Sequence, residues 1–217
     1  MKRVPSNNNL HIHSESIYQG LNVQAQHGLL VRNYLDKALE CFNKSLYHNG
    51  RVCMIRLDLH LPENCAASAI LDNSLIDRFF SSLKAKIVHS QYQSRKKGHR
   101  VHDTDVRFIW CRELSTEGRI HYHVALFLNN DAYAFLGKFD LEKTNMYSRI
   151  YQAWGSALHT HVDDIRGLVH FPENNTYHLV RGDDRSFQEA FYRVSYLCKI
   201  NSKDFGNNHH SFGSSRA

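Results

Sequence analysis

The stretch Val106–Leu128, VRFIWCREL-STEGR-IHYHVALFL, decides how this chain is read. Two apolar runs, Val106 to Leu114 and Ile120 to Leu128, flank Ser115-Thr116-Glu117-Gly118-Arg119. Runs of this length around a short Gly-containing connection predict an antiparallel hairpin. A three-residue loop, Thr116-Glu117-Gly118, with Gly118 in the left-handed region, is a favoured connection. It sets a register in which Glu113 lies opposite His121 and Cys111 opposite His123. His121 and His123 are two apart on a strand and share a face. Glu113 would join that face, its Cβ about 5 Å from that of its cross-strand neighbour. A one-residue slip would turn it away.

Two imidazoles and one carboxylate can hold a divalent ion and leave positions open for water or substrate, as catalytic sites do. Mixed nitrogen and oxygen donors suit Mg²⁺ or Mn²⁺ acting on phosphate, without excluding zinc. The plain alternative is a pair of solvent-facing strand histidines and an exposed strand carboxylate. The chain has 16 histidines, and at that density chance supplies about one His-x-His triplet. Three occur: His11/His13, His121/His123 and His159/His161. The first lies in a polar terminus and the last where a helix is ending, so context selects His121/His123.

Upstream, Leu29, Leu30, Tyr34, Leu35, Ala38, Phe42 and Leu46 have helical spacing, and Asn49-Gly50 is a stop signal. In Val52–Pro62, Cys53, Ile55, Leu57, Leu59 and Leu61 alternate with Arg56, Asp58 and His60, which predicts a strand with one polar face. Leu75, Phe79, Leu83 and Ile87 mark an amphipathic helix running out into Arg95, Lys96, Lys97 and Arg100. That basic run reads as a mobile loop for phosphates or as a solvated charge cluster. Downstream, a helix is expected around Met146–Leu158, then short strands at Leu168–Phe171 and Tyr177–Val180. Ser186 and Glu189 read as a capping box opening a last helix to about Lys199. The sum is an α+β protein: a mainly antiparallel sheet with helices packed on it.

On the last helix, Phe187, Phe191, Val194 and Cys198 form the core stripe. Tyr192, Tyr196 and Lys199 cluster on another side. A tyrosine beside a lysine there is either a snorkelling surface residue or a nucleophile whose phenolate the lysine favours.

The chain has 217 residues, 27 Lys+Arg against 21 Asp+Glu, a net charge of +6 and five scattered cysteines. The basic excess favours anionic partners, nucleic acid first. Unclustered cysteines argue for a reducing compartment, hence a cytoplasmic protein, and against a disulfide framework or thiolate zinc site. No apolar run approaches the roughly 20 residues of a membrane helix, so no membrane partner is expected. Residues 1–14 and 201–217 are polar and predicted to be disordered, with residues 15–50 a helical extension and residues 51–200 the main domain.

Three motifs in order, Arg56-Leu57-Asp58-Leu59-His60, His121-Tyr122-His123-Val124-Ala125-Leu126 and Ser195-Tyr196-Leu197-Cys198-Lys199, resemble the HUH endonucleases that start rolling-circle replication. The chain most resembles inovirus-type replication proteins, the YagK/YfjJ C-terminal domain family of phages and prophages, over roughly residues 50–203. The resemblance implies a palm-like sheet with a metal on one face held by His121, His123 and Glu113. Tyr196 would attack single-stranded origin DNA, leaving a 5′-phosphotyrosyl enzyme and a free 3′-OH, with Lys199 neutralising charge. Tyr192 makes a Tyr-x-x-x-Tyr pair, which leaves one- or two-nucleophile chemistry open. Arg56, His60 and the basic run would contact DNA. No P-loop is present, so a host helicase and polymerase would be needed. Two other classes stay open: a DNA-binding module with a degenerate site, and a metal-dependent hydrolase without a tyrosyl intermediate.

Overall fold

The computed structural model describes residues 2–63, 65, 72–203, 205 and 209–215. In chain order its elements are β1 (Arg3–Val4), β2 (Asn7–His13), β3 (Ile17–Tyr18), β4 (Leu21–Asn22), β5 (Leu30–Val31), α1 (Arg32–His48), β6 (Arg51–His60), α2 (Ser74–Lys96), β7 (Arg107–Leu114), β8 (Ile120–Asn129), α3 (Met146–Leu158), β9 (Val169–His170), β10 (Thr176–Val180), α4 (Asp184–Ser195) and β11 (Phe212–Ser214). The main sheet has the order β10-β6-β8-β7-β11, and β9 also pairs with β6. Every pairing in it is antiparallel. The architecture is the expected α+β one.

Alternation along β6 sorts the molecule into two layers. Cys53, Ile55, Leu57 and Leu59 enter a core with the apolar stripes of α2 and α3. Leu75, Phe79, Leu83 and Ile87 of α2 are fully buried there. Val52 and Met54 point the other way, into a core shared with α1 and α4. In that core Phe42 packs edge-on against Phe127 at 4.8 Å and Phe191 at 5.4 Å. Burying one such ring is worth about 1.5–3 kcal/mol. Arg56, Asp58 and His60 continue this second face past its apolar part, and that polar end is where the site forms.

The hairpin has the predicted register: Glu113 opposes His121 and Cys111 opposes His123. Gly118 has φ +74°, and the Ser115 N–H donates to the Arg119 carbonyl at 2.8 Å across the loop.

Four expectations change. Residues 2–13 are ordered: β1, β2 and β5 form a small sheet, and Val4 is fully buried in the second core. Pairing with Leu30–Val31 supplies what the polar composition of this terminus hides. Residues 15–31 carry short strands and a 3₁₀ turn rather than helix, and α1 is built into the second core rather than extending from it. The tail returns to the sheet, with β11 pairing β7 at its edge. Finally, the N-cap of α4 is Asp183, whose side chain accepts from the Arg185 N–H; Ser186 lies inside the first turn and donates to the Asp183 carbonyl. The α-helix stops at Ser195, and a 3₁₀ turn, Tyr196–Cys198, follows.

Candidate metal and nucleophile site

The register of β7 and β8 brings Glu113, His121 and His123 onto one face, with a ligand atom of each within 4.8 Å of the others. The two histidine Nε2 atoms are 3.1 Å apart, and Glu113 Oε2 is 3.6 Å from His123 Nε2. Two ligands bound to one ion at about 2.1 Å sit about 3–3.4 Å apart, so the donor set fits a single divalent ion. The triad is a candidate site for one divalent metal ion.

Asp58, on the polar face of β6, completes the surroundings of His123. Its Oδ1 lies 2.6 Å from His123 Nδ1 and its Oδ2 lies 3.3 Å from His170 Nδ1. A carboxylate on Nδ1 turns the imidazole so that Nε2 faces the ion. Burial alone would lower the His123 pKa, but bonds to Asp58 and Glu113 outweigh it and raise it. His121 goes the other way, lowered by burial and by the charge of His123. Its ring stacks on His60 at 5.6 Å. Burial would raise Asp58, but the two histidines hold it below its ordinary value.

Glu113 is 2% exposed and meets two lysines. Lys203 Nζ is 3.0 Å from Oε1 and Lys199 Nζ is 3.0 Å from Oε2. The Ser202 hydroxyl donates to Oε2 at 2.7 Å. Burial pushes the Glu113 carboxyl up, but His123, the Lys203 charge and Ser202 pull it far below the usual carboxylate range.

Tyr196 stands beside His123. Its ring meets His123 edge-on at 6.1 Å and His27 at 5.4 Å. Lys199 Nζ donates to its hydroxyl at 2.6 Å. Burial opposes the Lys199 charge, yet the Tyr196 oxygen and Glu113 raise its pKa. One lysine thus touches both the phenol and the candidate metal carboxylate.

Residues 12–215 match the YagK/YfjJ C-terminal domain family. The chain belongs to that family. It is 34% identical over 204 residues to the uncharacterized protein YagK of Escherichia coli K12, covering 89% of this chain and 97% of YagK. It is 31% identical over 207 residues to the uncharacterized protein YfjJ of the same strain, covering 90% of this chain and all of YfjJ. No solved structure shows a significant match. In this member of the family the end of α4 delivers Tyr196 and not Tyr192 to the histidines. The Tyr192 hydroxyl instead accepts from Gln26 Nε2 at 2.7 Å.

Arg56 and His60 lie on the site face of β6. Arg95, Lys96, Lys97 and Arg100 do not join them. α2 packs on the opposite face of the sheet from the site, in the core it shares with α3, and its start is reached by Arg112 on that face through the Asp72 carbonyl. Its 23 residues span about 35 Å, at 1.5 Å per residue, and carry the basic run toward Asp103 and Asn129, at the end of β8 away from His121. There Arg95 pairs with Asp103. Sequence reasoning placed Asp58 on the correct face without giving it a role, and it missed His170, Ser202 and Lys203. The last two lie in the tail taken for disordered, where no periodicity marks them.

Proposed function

We propose that this protein is a metal-dependent, tyrosine-nucleophile enzyme that nicks and rejoins single-stranded DNA, in the manner of rolling-circle initiators. The observation that carries the reading is the Lys199–Tyr196 hydrogen bond set beside a His-His-Glu triad. Mg²⁺ or Mn²⁺ held by His121, His123 and Glu113 would polarise the scissile phosphate.

The remaining steps belong to the chain itself. Lys199 donates to the Tyr196 oxygen and holds it beside the triad. The phenol loses its proton to solvent as its oxygen attacks phosphorus. The O–P bond forms, the bond from phosphorus to the 3′-oxygen breaks, and that oxygen takes a proton to become a free 3′-OH. The 5′ portion stays on Tyr196, and attack of a 3′-OH on it reverses the sequence and joins strands. The two lysines offset the charge of Glu113, which suits an exchangeable ion better than a structural one.

The test is incubation with single-stranded oligonucleotides tiling the DNA around its own gene, with Mn²⁺ or Mg²⁺. The expected products are one extendable 3′-OH fragment and one protein-linked fragment. Binding without cleavage, or hydrolysis with no protein-linked fragment, would contradict the reading.

A further inference from the structure

Beside the triad, two arginines from different elements converge on one hydroxyl oxygen. Arg193 of α4 places Nε 3.4 Å from the Tyr177 hydroxyl on β10, and Arg56 of β6 reaches the same hydroxyl. Both arginines are half-buried. Among the described residues neither has a carboxylate at ion-pair distance. Asp58, two residues further along the face of Arg56, has both oxygens taken by His123 and His170. Burial, and after it the Arg193 charge, lower the Arg56 pKa against the opposing pull of Tyr177 and Asp58. Like charges held together without an ion-pair partner in contact cost energy that a bridging anion returns, and guanidiniums suit phosphate oxygens in particular.

The position of the pair says which anion. Arg193 precedes Tyr196 by three residues, so the two are neighbours along the same side of the chain. We propose that Arg56, Arg193 and Tyr177 form a phosphate subsite. It holds an internucleotide phosphate neighbouring the one presented to Tyr196 and so fixes the register of the strand. The inference rests on the single-stranded DNA reading above and adds a binding element to the triad and nucleophile. Arg193 is a positioning residue here: it grips the strand and does not touch the reacting atoms.

Binding is measured without cleavage, using Tyr196→Phe protein in EDTA and labelled single-stranded oligonucleotides that each carry one uncharged methylphosphonate. In the Tyr196→Phe parent, one position of the scan should weaken binding about tenfold, the scale of a lost hydrogen bond to a charged group. Adding Arg193→Gln should weaken binding to unmodified DNA by a similar factor and make that position silent. The salt slope should fall by about 0.7 for the lost phosphate contact. Arg193→Lys should keep the slope and recover part of the affinity. Parent affinity and slope in Arg193→Gln, or an unchanged scan, overturns the subsite. No oligonucleotide binding by the parent removes the nucleic-acid reading and the subsite with it. Binding with the predicted coupling, but no cleavage by the Tyr196 protein, removes the nicking activity and leaves the subsite standing.

Discussion

Replacing Glu113 by Gln should be among the most damaging single changes in the sheet, for a reason unrelated to catalysis. The side chains of Glu113, Lys203 and Lys199 are 2%, 0% and 10% exposed. Glutamine keeps the shape but leaves one fully buried ammonium and one nearly buried ammonium without a counter-charge. Removing one partner of a buried pair costs about 3–5 kcal/mol. For a chain of this size that lowers Tm by about 10 °C. Adding Lys203→Met should recover much of the loss, because the stranded charge goes with it. The pH dependence has a definite sign. The folded Glu113 pKa lies below its unfolded value of about 4.3. Its contribution is therefore complete above about pH 4.5 and fades as pH falls further toward the folded pKa, at up to about 1.4 kcal/mol per pH unit. The gap between parent and Glu113→Gln should narrow from pH 6 to pH 3. Urea unfolding in EDTA at each pH measures it. A variant within 1 kcal/mol of the parent at pH 6, or one that Lys203→Met makes worse, would refute the buried-charge argument.

Three further outcomes are expected. Asp58→Asn should weaken Mn²⁺ binding 10–100-fold by freeing the orientation of His123, read by titration with electron paramagnetic resonance on folded protein. Gly213→Ala should destabilise the chain by about 1–3 kcal/mol and expose the tail to protease, because a Cβ there would sit 2.5 Å from the Trp110 Nε1 atom; unchanged stability and proteolysis would contradict this. Replacing Arg95, Lys96, Lys97 and Arg100 together by Ala should change the affinity of a six-nucleotide oligonucleotide less than Arg193→Gln does, since the run lies at the far end of α2; fluorescence anisotropy ranks the two.

The hairpin was legible because its signals agree. Gly118 fixes the loop, the loop fixes the register, and the register puts Glu113 beside His121. The helices α2 and α3 were legible for a similar reason, since their stripes repeat at helical spacing against one face of β6. The termini were not. Val4, Leu10 and Ile12 find their core because β1 pairs with β2 and β2 in turn with β5, contacts between segments that local pattern does not encode. Lys203 is buried by charge pairing instead of hydrophobicity, so nothing in the polar tail distinguished it from a solvated lysine. Tyr196 was selected over Tyr192 by its spacing to Lys199. In the structure the α-helix ends at Ser195, a 3₁₀ turn follows, and the Tyr196 ring meets His123.

The central claim is that the Tyr196 oxygen forms the bond to DNA. The most direct measurement is peptide mass spectrometry on protein incubated with Mn²⁺ and the cleaved single-stranded oligonucleotide. The account predicts one nucleotide-bearing peptide, modified at Tyr196, and no adduct from Tyr196→Phe protein that folds normally. An adduct confined to Tyr192, or one undiminished in Tyr196→Phe, would contradict it.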